Sequence, residues 1–289
     1  MSLTQFRNSI LNILENRHID RPRGIARHIQ WQLFKALNLF PIELRISDSR
    51  IIARHGHCGV SALINCQGLY DYNNMRFIQF LLRRGGVFFD IGANIGSYSL
   101  IASEQPDAQV YAFEPHPQTY AWLMENIALN DRRNVTCLNF ALGTENSIVR
   151  FTTGDTSQTN HIADERTSNT ISVPCRRVDA VCEELGIAPR YVKIDVEGFE
   201  YGVLAGFADR LLDVEVLFVE MNGLADARSE GERSINALLE QSGFIGPLFC
   251  DFDARRLSRT RSSGHEDSVY VRDSFRRHHP DWSIDADST

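Results

Sequence analysis

The sequence predicts a doubly wound α/β fold with a mostly parallel sheet, and three observations carry that expectation. The first is the run VFFDIGANIG at 87–96, an apolar strand that ends in an acid and then breaks into glycines. The second is alternation: apolar, β-forming runs at 87–89, 109–113, 135–140, 191–194 and 214–219 are separated by segments of helical spacing. The third is the placement of Asp90, Glu114, Asp195 and Glu220 at the ends of four of those runs. An open parallel sheet binds ligands beyond the carboxyl ends of its strands.

Composition bounds the rest. At 289 residues, 43% of them hydrophobic, the chain is long enough for a sizeable core, and one large domain with a decorated N-terminus is expected. A net charge of −7 offers no general basic field, which disfavours a nucleic-acid partner. Six cysteines are scattered without a C-x-x-C pair or metal spacing and read as buried thiols. No apolar run approaches the ~20 residues of a membrane span, and no signal-peptide core is visible. A cytoplasmic protein without a transmembrane segment is the expectation.

Residues 1–40 have helical spacing, broken at Pro22 and Gly24, and the second helix carries Arg21, Arg23, Arg27, His28 and Lys35 as a basic face. That face reads as a solvated helix side or as a partner or membrane-surface contact. Residues 42–66 read as a small β element, with Ile46, Ile51 and Ile52 and then Val60, Leu63 and Ile64; His55 and His57 within it read as loop histidines. A helix over 74–84 ends at Gly85 and Gly86. A boundary near residue 70 divides an N-terminal extension, 1–70, from the main domain, 71–275. The extension is a candidate acceptor cap or oligomerisation element, which makes a homodimer possible.

A helix fills 115–130, with Pro117 near its start, and the third strand leads to Ala141, Leu142 and Gly143. Strands at 147–153 and 170–175 flank a polar insert, 154–169, of the kind that forms substrate or lid loops. The fourth repeating strand delivers YVKIDVEGFE, and the fifth closes on Glu220 and Asn222. A helix over 230–241 and strands at Phe249 and 269–271 complete the pattern, followed by a polar, loosely held tail at 276–289.

The glycine turn narrows the ligand. A dinucleotide fingerprint needs glycines where this chain has Gly92, Asn94 and Ser97, and Asp90 would repel a pyrophosphate. Glu114 stands 22 residues after Gly92, the interval at which a strand-end carboxylate meets ribose hydroxyls. S-adenosylmethionine, a ribose-bearing cation without phosphates, suits both acids. Transfer of its methyl group to a hydroxyl needs alignment and a base to take the proton. Lys193, Asp195 and Glu197 are candidates for that work. Alternatively Asp195, Glu197 and Glu220 are oxygen ligands for a divalent cation that would lower the hydroxyl pKa.

Through FFDIGANIGSYSL followed by AFEP, the NFALG segment, and YVKIDVEGFE leading to FVE at Glu220, the chain resembles the FkbM family of S-adenosylmethionine-dependent methyltransferases over about residues 70–272. The resemblance implies a class I, Rossmann-like sheet of seven strands with the last antiparallel, and O-methylation of small molecules such as sugars or natural products. Carried over by motif, Asp90, Gly92, Ala93, Asn94 and Gly96 would line the methionine end of the cofactor, Glu114 and Pro115 its ribose, and Ala141 its adenine. Lys193, Asp195, Glu197 and Glu220 would face the acceptor, with Asp195 also near the cofactor. No N-P-P-Y-type run follows the fourth strand, which disfavours N-methylation of amides or adenine. A nicotinamide-dependent oxidoreductase and a non-catalytic scaffold retaining the fold are the competing expectations.

Overall fold

A computed structural model describes residues 10, 11, 13, 14, 16–152, 170–221, 231–260 and 267–285. The chain divides into two compact units, 1–72 and 73–289. The polar insert at 154–169 and Asn222 lie outside the described residues.

In the first unit, a helix Arg21–Ala36 starts where the Asp20 side chain accepts from the Arg23 amide, with proline in its first turn. A hairpin follows, β1 Ile42–Ile46 against β2 Ser49–Ala53. The expected β element stops there, because 59–67 form a helix, Gly59–Gln67, that buries Ser61, Ile64 and Cys66. Val60 and Ile64 lie four apart, a helical interval that short apolar runs share with strands.

The second unit is built on a nine-stranded sheet. In chain order its strands are β3 Gly86–Ile91, β4 Ala108–Phe113, β5 Val135–Leu138, β9 Tyr191–Ile194, β10 Val216–Val219, β11 Phe244–Asp251, β12 Arg256–Ser258, β13 Ser268–Arg272 and β14 Ser283–Asp285. Between β5 and β9 the chain forms a separate three-stranded sheet from β6 Ala141–Gly143, β7 Ser147–Thr152 and β8 Thr170–Arg177. The large sheet runs β14-β12-β11-β13-β10-β9-β3-β4-β5. The five strands from β5 to β10 are parallel, and β13 is antiparallel to both β10 and β11. The expected count of seven is therefore too low: β12 and β14 extend the sheet beyond β11.

The extra strands correct a second expectation. Residues 276–285, read as a loose tail, carry the end of a helix Asp273–His278 and strand β14, with Trp282 5% exposed. Trp282 packs on Phe77 with ring centroids 4.4 Å apart, and on Phe80, Phe252 and Phe275. The polar residues around one tryptophan hide that anchor from a compositional reading.

Period-two alternation sorts the sheet's two faces. Phe89, Ile91, Val192, Ile194, Leu217 and Val219 join the core beneath helices Val178–Leu185, Glu200–Gly206 and Glu232–Gln241. Asp90 and Lys193, direct register partners across β3 and β9, belong to the alternate positions. The strand order reverses between β3 and β9, so the loops after these two strands open a crevice at the switch point. Five cysteines are buried and Cys137 half-buried, all as free thiols.

Candidate active site

The glycine turn follows β3, which runs one residue past Asp90. Gly92 has φ +84°, and a Cβ there would stand 1.8 Å from the Asp195 carbonyl oxygen. No side chain fits, so the turn after β3 and the loop after β9 touch through bare backbone. Gly96, at φ +91°, enters the helix Ser97–Ser103, and a Cβ there would meet Leu123 at 2.6 Å. Ala93 is buried, its amide donating to the Phe113 carbonyl at 2.9 Å. Asn94 also sits at positive φ, and its buried Oδ1 has no hydrogen-bond partner.

Glu114 is the first residue past β4. One carboxylate oxygen accepts from the Asn94 amide at 3.0 Å and the other from the His116 amide at 2.9 Å, so this acid clasps the glycine turn. Burial pushes its carboxyl up to about 7, against the pull of those two amides. Pro115 lies next to it, and the Asn139 side-chain amide donates to the carbonyls of both Glu114 and Pro115 at 2.8 and 3.0 Å. Ala141, 7% exposed, lies two residues beyond Asn139 at the start of β6, paired with Cys175 of β8.

Asp90 lies within electrostatic reach of two of the other acids, feeling the Asp195 charge and acting on Glu114. It is 1% exposed, and its Oδ2 accepts from the Ser99 hydroxyl at 2.5 Å. Burial raises its pKa, opposed by the nearby Lys193 ammonium and the Ser99 hydrogen bond.

Lys193 is 3% exposed. Its ammonium lies 2.7 Å from Asp195 Oδ2, 3.9 Å from Asp267 and 4.6 Å from the centre of the Tyr98 ring. Burial pushes the Asp195 carboxyl up, but Lys193 and a hydrogen bond with Glu220 outweigh it, and its pKa falls below the ordinary value. Glu220 goes the other way: burial and the Asp195 charge raise it far above a free carboxyl. The two carboxyls are therefore driven in opposite directions, Asp195 toward its charged form and Glu220 toward its protonated form. Asp195, Glu197 and Glu220 can bring one oxygen each within 4.8 Å of one another. Glu197 has φ +53°, and the buried Glu200 fixes this loop by accepting from the Gly198 and Val196 amides at 2.9 and 3.4 Å.

The structure thus gathers the predicted residues into two groups joined by the contact of Gly92 with Asp195. Gly92, Asn94 and Glu114 form one, and Lys193, Asp195, Glu197 and Glu220 form the other. Ser99, Asn139 and Asp267 escaped the sequence reading. Asn139 lies inside the NFALG block, but nothing in sequence tells a short amide that bridges two carbonyls from an ordinary loop asparagine. Glu200, in the same run, spends its carboxylate on backbone amides.

This sheet, with its glycine turn after the first strand and a carboxylate after the second, is the Rossmann-like fold of class I methyltransferases. The chain belongs to the family defined by the methyltransferase FkbM domain, which matches residues 90–245. Three curated relatives are similar to parts of it. The hexuronic acid methyltransferase AglP of Haloferax volcanii is 31% identical over 145 residues, covering 49% of this chain and 58% of that protein. The 2-O-methyltransferase NoeI of Sinorhizobium fredii is 27% identical, covering 57% and 74%. The 31-O-demethyl-FK506 methyltransferase FkbM of Streptomyces tacrolimicus is 28% identical, covering 63% and 84%. The chain spans less than two thirds of the length of AglP.

S-adenosylmethionine is the methyl donor of this family, and the residues present fit it. An orphaned acceptor on Asn94, a turn with no room for a side chain at Gly92 and a buried acid at the ribose interval are what a cationic nucleoside needs. No helix among the described residues is long and apolar enough to cross a membrane.

Proposed function

We propose that the protein methylates a hydroxyl of a sugar, glycolipid or natural-product small molecule. The observation that carries this reading is the Lys193, Asp195, Glu220 cluster, seated where the loop after β9 touches the glycine turn. Bound S-adenosylmethionine supplies an electrophilic methyl group. Asp90, Gly92, Ala93, Asn94 and Gly96 would hold its methionine end, Glu114 and Pro115 its ribose, and Ala141 its adenine. Asp195, kept ionised by Lys193, takes the hydroxyl proton as the oxygen attacks. Glu220, kept protonated, donates to Asp195 and fixes its orientation. That the three named relatives act on a hexuronic acid, at a 2-O position and at a 31-O position supports an oxygen acceptor.

A second reading rests on the same residues. Asp195, Glu197 and Glu220 could bind a divalent cation that lowers the acceptor's pKa, since their oxygens come within 4.8 Å of one another. Transfer of labelled methyl groups to a panel of uronic acids, oligosaccharides and macrolide alcohols, with and without a chelator, tests both readings. Turnover insensitive to the chelator supports the direct base. Turnover abolished by the chelator and restored by magnesium or manganese supports the cation. No transfer to any hydroxyl, with transfer to amines instead, would overturn the proposal.

A further inference from the structure

The helix Arg21–Ala36 is amphipathic in an unusual sense, because it is anchored by few residues and shows solvent an apolar stripe. Gly24, His28 and Trp31 are its buried positions. Trp31 donates from its indole nitrogen to the Gly56 carbonyl at 3.3 Å, and Asn65 donates to the Arg27 carbonyl at 3.0 Å, so this side is fixed within its own unit. On the opposite side Ile29, Leu33 and Leu37 recur every fourth residue and are 47%, 55% and 65% exposed. At 100° per residue Ala26 and Ala36 fall on the same stripe, and both are exposed. Leu39, beyond the helix end, is also 49% exposed. The basic face expected from sequence is split accordingly: His28 turns inward, while exposed Arg23 and Arg27 border the stripe on one side and Arg21 on the other.

We infer that this face docks on an anionic lipid surface. A row of leucine and isoleucine bordered by arginines matches acyl chains bordered by phosphate headgroups, and the helix spans about 24 Å at 1.5 Å per residue, enough to lie in the interface plane. Charge selects lipid over a second copy. An isologous dimer through the stripe would oppose the arginine borders to one another, and the neighbouring acid, Asp20, is occupied by Arg23 at 3.4 Å and by the helix cap. The chain's net charge of −7 makes this local cationic rim depart from the rest of the molecule. Exposed Leu11 and Leu14, at 43% and 40%, add apolar surface in the same unit.

Flotation of the full chain with vesicles decides the matter. Binding is expected to vesicles of phosphatidylcholine mixed with phosphatidylglycerol, and to be at least ~10-fold weaker to phosphatidylcholine alone or at high salt. The triple variant Ile29→Ser, Leu33→Ser, Leu37→Ser removes the apolar term, and Arg23→Glu with Arg27→Glu reverses the rim. Each is expected to lower partitioning by ~10-fold or more while leaving the circular dichroism spectrum unchanged. The two variants are independent, so a folding failure in one leaves the other as the test. No flotation of the wild type, or flotation untouched by either folded variant, overturns the inference. So does a dimer in sedimentation equilibrium that the triple variant dissociates, because a second copy would then cover the stripe.

Discussion

Lys193 Nζ lies 2.7 Å from Asp195 Oδ2 while its own side chain is 3% exposed, so the charge that holds Asp195 ionised comes from within the sheet rather than from solvent. A buried ammonium with two carboxylates and an aromatic face around it is fixed in place, and it fixes its partner. Asp195→Asn is expected to lower methyl transfer by about 100-fold or more while changing S-adenosylhomocysteine affinity by less than about threefold. Lys193→Met removes the influence that lowers the Asp195 pKa, so the acid limb of the kcat/KM profile moves to higher pH. Unchanged turnover in the first variant, or an unmoved limb in the second, would remove Asp195 as the base.

Gly92 and Gly186 share positive φ but differ in surroundings. A Cβ at Gly92 meets the Asp195 carbonyl at 1.8 Å, whereas nothing lies within 4 Å of one at Gly186. Gly186→Ala is expected to cost only about 1 kcal/mol in urea unfolding and to leave turnover intact. Gly92→Ala must push the β3 and β9 loops apart, and S-adenosylhomocysteine affinity is expected to fall by at least about 30-fold. Equal behaviour of the two variants would mean that the contact does not position the site.

The raised pKa of Glu114, about 7 against an ordinary 4.5, has a sign that can be checked. The folded state favours the protonated acid, so stability is greatest below about pH 4.5 for this group and declines as pH rises to about 7. The loss is at most about 3.5 kcal/mol at roughly 1.4 kcal/mol per pKa unit. Ribose hydroxyls donating to the carboxylate would draw the pKa down again. Binding of S-adenosylhomocysteine at pH 7 is then expected to release a fraction of a proton, read by calorimetry in buffers of different ionisation enthalpy. Binding without proton release at pH 7 would separate Glu114 from the ribose.

Trp282 closes the aromatic cluster of Phe77, Phe80, Phe252 and Phe275. Trp282→Ala is expected to destabilise the protein by about 3–5 kcal/mol in urea titration, the usual cost of emptying a buried aromatic site. A loss below 1 kcal/mol would show that the C-terminal segment is an appendage.

The parts of this fold that the sequence announces are those in which one physical demand excludes other residues. Phe88 and Phe89 must be buried on both faces of β3, and Gly92 must leave room for a carbonyl, so strand and turn are both readable. Glu114, Asp195 and Glu220 each follow directly on an apolar strand, at the point where the chain leaves the sheet and a charge is first tolerated. What stays hidden depends on pairing across distance. Val60 and Ile64 fit a helix or a strand equally well, and β14 is three residues whose identity as a strand comes from pairing with β12. Asp90 reads as a methionine-end acid from its place before the glycine turn, but its register opposite Lys193 and its bond from Ser99 are set by the sheet and by the following helix, and the local motif does not announce them.

If the Gly92 turn and Glu114 form the S-adenosylmethionine site that serves the Asp195 cluster, ligand binding must depend on them. Calorimetric titration of the full chain with S-adenosylhomocysteine, beside NAD and beside a Glu114→Ala variant shown to be folded, addresses it most directly. Saturable binding of S-adenosylhomocysteine alone is expected, weakened at least about 30-fold in the variant. Absence of heat and of thermal stabilisation with S-adenosylhomocysteine, or binding of NAD in its place, would contradict it.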